Sequence, residues 1–397
     1  MTTLIAALEI PGSGTNAERR ANATGFLEPP GSVSLRGPAC LVFLALSTLW
    51  VVIAGRYSET AWDFPQFYLI AHLPVHSIHD RAVFVQFGEQ LIGPLGIHYY
   101  PPFVRPAVFA LAVRPLAWFP YWQAFYLWAG VGFLCYSASI LLLRRRFDLP
   151  NAMLPVFALY FPGLFGIVTG QDANTMLLVL LVSMLLLCDG RHVLGGLLLA
   201  LCLYKFNVIL FLPLVLLFKS RWTALVSFVS GASLVAATSA MLAPPSTYLA
   251  LLRTIPAITI GLAPGGLHGV AIRLGVESWY YPAAAVMAAF CVFLIYKLPM
   301  LESFCVAMVA SLVVAYHAAW YDCAVLVIPI AVVFQRASKG LRTILLLILG
   351  LPVAWLLGRE FFQVSVEILL LAFFAGGAFR AAVAAPGLSA PRVVPAG

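Results

Sequence analysis

Asp63 stands in the stretch TAWDFPQFY, residues 60–68, among Trp62, Phe64, Phe67 and Tyr68. A carboxylate among aromatic rings has two readings. It can cap a helix or sit solvated in a loop, or it can act as a general base, taking a proton from a hydroxyl as that hydroxyl attacks. Neighbouring rings would partly desolvate such a base and raise its basicity, and they would also stack on sugar rings. Four further stretches carry residues able to do chemistry. HYYPPFVRP (98–106) supplies Tyr100 and Arg105, whose planar fork of donors suits phosphate oxygens. GQDAN (170–174) supplies Gln171 and Asn174, which can bind sugar hydroxyls, and Asp172, which can do the same or cap the following helix. LYKFN (203–207) places Lys205 in an apolar setting, where it either snorkels to the interface or neutralises a lipid phosphate. YHAAWYD (316–322) supplies His317 and Asp322, either in a polar turn with aromatic anchors or as substrate contacts.

What positions these residues is a membrane bundle. The chain has 397 residues, 62% of them hydrophobic and only 10% charged, with a mean hydropathy of +0.99. Soluble domains sit near a quarter charged, so the composition is that of an all-α polytopic membrane protein. Apolar runs bounded by charge, Pro or Gly predict about twelve crossings, near 38–55, 121–143, 150–168, 172–188, 192–204, 206–218, 222–241, 280–297, 302–317, 323–335, 343–357 and 361–379. Segments 192–204 and 206–218 read as a hairpin with Lys205 at its tip. Segment 102–118 carries Arg105 and Arg114 and is expected to be re-entrant or interfacial. Residues 1–37 and 381–397 read as cytoplasmic tails flanking one domain over 38–380, with long outer loops at 56–120 and 242–279.

The net charge of +8 follows orientation rather than nucleic-acid binding. With both termini inside, 15 of the 23 Lys and Arg residues fall on inner segments and 8 on outer ones, as the positive-inside rule requires. Six of the seven histidines, with Asp63, Asp172 and Asp322, then map to the outer face of a plasma (inner) membrane. His72, His76 and His79 share a helical face, but Pro74 interrupts them and no acid or thiol completes a ligand set, so no metal is expected. The seven scattered cysteines form no disulfide or zinc pattern. There is no phosphate-binding loop, no dinucleotide fingerprint and no cofactor motif.

The order WDFPQFY, YYPPF, RPLAWFPYWQAFYLW, GQDAN, LYKFN with KSRW, and YHAAWYD resembles glycosyltransferase family 87, formerly domain of unknown function 2029, in the membrane-embedded GT-C superfamily, over roughly residues 40–340. The resemblance implies transfer of a hexose, often mannose, from a polyprenyl-phosphate donor to a lipid or glycan acceptor on the extracytoplasmic face. It puts the catalytic base on Asp63 and makes Arg105, Lys205 and His317 the phosphate contacts. Tyr68, Tyr100, Gln171, Asp172, Asn174 and Asp322 complete the expected substrate site. Many GT-C relatives carry two adjacent acids in the first outer loop; here Phe64 follows Asp63, which agrees with a metal-independent branch. A transporter or flippase for a lipid-linked sugar, and an O-antigen-type polymerase, are the rival classes. The sequence shows no internal repeat of the kind transporters often carry.

Overall fold

A computed structural model describes residues 63–151, 153–259, 265–350 and 352–384, with isolated helical positions at Val42, Ala45, Leu46 and Leu49. Most of the predicted first span, the N-terminal tail and most of the C-terminal tail lie outside the described residues.

Among the described residues the fold is helical throughout, with no strand. The outer region carries α1 (Phe64–His72), α2 (Arg81–Leu91) and the short α3 (Ala110–Val113). The bundle follows with α4 (Tyr121–Arg146), α5 (Met153–Ala158), α6 (Phe161–Val168), α7 (Ala173–Cys188), α8 (His192–Leu201), α9 (Phe206–Ile209), α10 (Leu212–Phe218) and α11 (Trp222–Leu242). Next come α12 (Pro245–Thr259) and α13 (Gly266–Arg273), then α14 (Tyr280–Lys297), α15 (Met300–Val314), α16 (Val327–Arg336), α17 (Lys339–Gly350) and α18 (Pro352–Ala384).

Among the described residues, five helical stretches are, by length and composition, long and apolar enough to cross a membrane: 121–146, 192–209 (counted through the bend at Lys205), 222–242, 277–297 and 360–380. Other predicted spans are shorter or divided, and proline accounts for the divisions. Segment 150–168 splits into α5 and α6 ahead of Pro162, and 206–218 splits into α9 and α10 ahead of Pro213, because proline cannot donate the backbone hydrogen bond that would continue the preceding turn. The last two predicted spans meet at a different place. Arg359 and Glu360, read as a loop between them, lie inside the 33-residue α18, and the break falls between Gly350 and Pro352. Residues 107–118 form two 3₁₀ turns around α3, between Pro106 and Pro120, which is too short a helix to span the roughly 30 Å of hydrocarbon.

Contacts fix the direction of each helix. Tyr204 Oη donates to Asp172 O (3.2 Å) and Ser183 Oγ to Gly195 O (2.8 Å), so α8 runs antiparallel to α7. Asn207 Nδ2 donates to His317 O (3.1 Å) and the Phe211 amide to Ser311 Oγ (3.1 Å), so the chain after Lys205 turns back along α15. Lys205 is therefore at the bend of a hairpin, with an irregular backbone of φ −135°, ψ 63°. About thirteen residues lead from His192 to that bend, roughly 20 Å of helix, which is less than a bilayer core.

The bundle consequently has two distinct ends. One gathers Arg144, Arg145 and Arg146 in the last turn of α4, where they also complement the helix dipole. Arg146 donates to Asp189 Oδ1 (3.1 Å), Lys219 Nζ to Tyr296 O (3.0 Å) and Arg336 to Glu302 at the same end. The other end carries Asp63, GQDAN, the Lys205 bend and His317. There, Phe64, Phe67, Phe103 and Phe125 join a separate apolar core under the outer helices.

Candidate active site

The site is assembled by one close backbone approach. The Asp63 amide donates to Thr169 O (3.2 Å), and Gly170 follows with φ +71°. A methyl group added at Gly170 would lie 2.6 Å from Phe64 Cβ and 3.2 Å from Phe64 Cα. Only glycine permits both the left-handed backbone and that contact. This apposition sets GQDAN against the stretch that begins at Asp63, more than a hundred residues earlier in sequence.

Neither aspartate in this junction caps its helix. Asp63 occupies the N-cap position of α1 and Asp172 that of α7, yet neither side chain makes a capping hydrogen bond. Asp172 turns inward to the cations. Arg105 Nε–H donates to Asp172 Oδ2 (2.7 Å) and Nη2–H to Asp172 Oδ1 (2.8 Å), a bidentate pair. Lys205 Nζ lies 3.3 Å from the same Asp172 Oδ1 and 2.6 Å from Asp322 Oδ1. The other oxygen of Asp322 accepts from Asn207 Nδ2 (3.2 Å) and the Ala319 amide (3.0 Å). The Lys205 ammonium also stands 4.7 Å from the centre of the Tyr321 ring.

These groups surround a cavity of about 470 Å³. Asp63, Arg105, Gln171, Lys205, His317 and Asp322 all line it. Part of its wall is apolar, from Leu210, Leu252, Val314 and Phe206. Phe206 and Leu210 are about half exposed on the outer surface of the bundle, so the cavity wall continues onto the apolar exterior.

The electrostatics differ from group to group. Burial pushes the Asp63 carboxyl up to about 6; Gln171, Lys205 and Arg105 pull it down, and Asp172 adds to the rise. Burial acts the same way on Asp172, but Arg105 and Lys205 outweigh it and hold that group below the usual carboxylate range. Burial lowers His317, against the pull of Asp322 and with that of Lys205, which favours the neutral ring at neutral pH. Its Nδ1 is buried without a hydrogen-bond partner among the described residues.

Not every expected substrate residue reaches the cavity. Tyr68 is buried with its hydroxyl donating to Phe119 O (3.1 Å). Tyr100 folds back to Ile97 O (2.6 Å) and packs over Gly88, while its neighbour Tyr99 lines the cavity in its place. Asn174 is fully buried and donates to Gly163 O (2.8 Å), tying α7 to α6. Asp172 lies behind the cavity wall as a partner of the two cations. Each of these side chains is drawn to a backbone or side-chain partner that burial would otherwise leave unpaired. Conversely, sequence reasoning passed over Gln66, Asn207 and Tyr321, all of which line the cavity. Their signal was their place inside the quoted motifs, three residues after Asp63, two after Lys205 and one before Asp322. His72 and His79 point apart, to Tyr68 O (2.9 Å) and Arg105 O (2.9 Å), and among the described residues no three His, Cys, Asp or Glu side chains form a metal-binding group.

The helical bundle sinks the carboxylates of Asp63 and Asp322 and the cations of Arg105 and Lys205 into a cavity at one end, and its relationship to known proteins defines the class. The model of glycosyltransferase family 87 matches residues 99–386, most of the chain. The chain belongs to that family and is a membrane glycosyltransferase. The match starts at Tyr99, later than the resemblance read from the motifs, so Asp63 precedes the matched residues. No curated protein and no solved structure matches the chain.

Proposed function

We propose that this glycosyltransferase moves a mannose-like hexose from a polyprenyl-phosphate donor to a lipid or glycan acceptor, with inversion, at the extracytoplasmic face of the plasma membrane. The observation that carries this reading is the composition of one cavity. It joins a carboxylate that makes no capping hydrogen bond, Asp63, to Lys205 and a His317 Nδ1 without a partner among the described residues, and its apolar wall runs out through Phe206 and Leu210 to the exposed apolar exterior. A sugar phosphate on an isoprenoid chain has the matching parts.

In the proposed reaction the acceptor hydroxyl gives its proton to Asp63 as its oxygen attacks the anomeric carbon. The bond from that carbon to the phosphate oxygen breaks, and polyprenyl phosphate leaves with the electron pair. Lys205 and His317 face the negative charge that grows on the leaving phosphate, where preorganised donors in a dry site act most strongly. A single displacement inverts the anomeric centre. No step requires a metal. The gathering of basic residues at the opposite end of the bundle supports this outward orientation of the cavity, since such residues favour the inner side.

The test is the purified protein in liposomes, given labelled polyprenyl-phosphate mannose and a mixture of membrane lipid acceptors, with and without EDTA. The expected result is a new glycolipid of inverted configuration, formed equally with the chelator. Label that crosses the bilayer without entering a new covalent product would instead establish a transporter, and loss of product with EDTA would overturn the metal-free step.

A further inference from the structure

Arg105 is the most heavily engaged cation of the site. Its side chain is 6% exposed, and four of its five N–H donors are already spent. Two hold Asp172, Nη1–H donates to Gln66 Oε1 (2.8 Å), and Nη2–H also donates to Gln171 Oε1 (3.3 Å). Phe67 lies 4.8 Å beneath the guanidinium. Such a group has one donor left for an incoming phosphate.

The chemistry of arginine gives these contacts a further consequence. A guanidinium only donates, so a carboxamide facing it must present its oxygen. Both glutamines therefore turn their amide nitrogens the other way, toward Asp63. Gln66 Nε2 donates to the Asp63 backbone carbonyl (3.0 Å), and Gln171 lines the cavity with Asp63, where its amide pulls the carboxyl down. Arg105 itself is fixed from behind by Asp172 and through its carbonyl, which meets His79 Nε2 (2.9 Å). The geometry points to Arg105 as a positioning residue for Asp63: it orients the amide of Gln66, which holds the Asp63 backbone, and that of Gln171, which shares the cavity wall with the acid, while Lys205 and His317 make the phosphate face. This rests on the assignment of Asp63 as the base and deepens it. It also replaces the phosphate contact that the sequence resemblance implied for Arg105.

The two roles separate in kinetics. A phosphate ligand, when lost, weakens binding of the lipid phosphate. A positioning residue leaves binding in place and disturbs the base. Arg105→Lys keeps the charge but cannot hold two amides and a bidentate carboxylate at once. A misplaced base typically costs about 10²-fold in turnover. In Gln171→Leu the amide that pulls the Asp63 carboxyl down is gone while Arg105 keeps its charge, so the acid limb of the pH–kcat profile moves to higher pH. The experiment measures kcat across pH, and binding of polyprenyl phosphate by tryptophan fluorescence, on Arg105→Lys, Gln171→Leu and Asp63→Asn. The expected result is an inactive Asp63→Asn, an upward-shifted limb in Gln171→Leu, and polyprenyl-phosphate affinity in Arg105→Lys within about twofold of wild type with kcat down about 10²-fold. Weakened lipid-phosphate binding by Arg105→Lys with an unmoved acid limb would overturn the inference alone. Should Arg105→Lys fail to fold, an unchanged limb in Gln171→Leu does the same. Activity in Asp63→Asn would instead remove the base itself.

Discussion

Cations at the two ends of the bundle have opposite surroundings. At the basic end Arg145, Arg146, Arg221, Arg336 and Arg342 are exposed, and the pair Arg146–Asp189, 3.1 Å apart, leaves the arginine side chain 37% exposed. At the site end Arg105 and Lys205 are 6% and 10% exposed and share Asp172. The residue types are alike and the energetics are not. An exposed pair is screened by water and salt and contributes about 0–1 kcal/mol. A buried pair stands on a desolvation cost of several kcal/mol per ion, so removing one partner strands the other. The basic end is suited to orienting the protein in the membrane, and the site end to chemistry.

The largest expected effect follows from breaking the buried cluster. Lys205→Met leaves both Asp172 and Asp322 facing an apolar side chain, and loss of one partner of a buried pair typically costs about 3–5 kcal/mol. Thermal unfolding in detergent should show a clear drop in midpoint, and polyprenyl-phosphate binding should weaken with it. A variant of wild-type stability would mean that Lys205 is not held as a buried ion. Gly170→Ala comes next. The left-handed backbone alone costs an alanine roughly 1–2 kcal/mol, and the added contact with Phe64 backbone and Cβ has no flexible side chain to yield. Activity should fall together with stability, because the same contact joins Asp63 to Gln171. A fully active Gly170→Ala would show that this junction is not needed to assemble the site.

A change of pH sharpens the comparison without mutation. Asp63 works as a base only when deprotonated, and burial has raised its carboxyl to about 6. Turnover should therefore be near its plateau above about pH 7, half of it near 6, and fall further as the carboxylate takes up its proton. A flat profile between pH 5 and 7 would contradict the assignment. The smallest effect belongs to the other end. Arg146→Ala should shift stability by no more than about 1 kcal/mol and leave turnover unchanged in the same assay. A tenfold loss of activity would mean that the two ends are coupled.

Much of this contrast is legible in the sequence, for physical reasons. Long apolar runs without proline, such as 121–146 and 222–242, report directly as helices because composition and period suffice. The hairpin at Lys205 was readable from a charge set between two short apolar arms. Helix ends near proline were less so: the break at Gly350–Pro352 was displaced onto Arg359 and Glu360, since a charged pair in an apolar run looks like a loop when its burial partner, Arg273, is distant in sequence. In the site, Asp63, Lys205, His317 and Asp322, singled out by residue type and setting, all line the cavity. Arg105 and Asp172 were also found, but not their pairing, because nothing local links positions 105 and 172. Tyr100 rather than Tyr99 was chosen for the cavity because both lie in one aromatic run, and only packing against Gly88 separates them.

The central claim is that Asp63 removes the acceptor proton in a cavity where Lys205 and His317 serve the donor. Asp63→Asn tests it most directly, since it keeps the shape and most hydrogen bonds of the side chain and removes its proton acceptance. On the purified, folded variant, kcat for hexose transfer from polyprenyl-phosphate mannose and affinity for polyprenyl phosphate should be measured together. The account predicts a loss of about 10²–10⁴-fold in kcat with affinity nearly unchanged. Near-normal turnover by Asp63→Asn would contradict it.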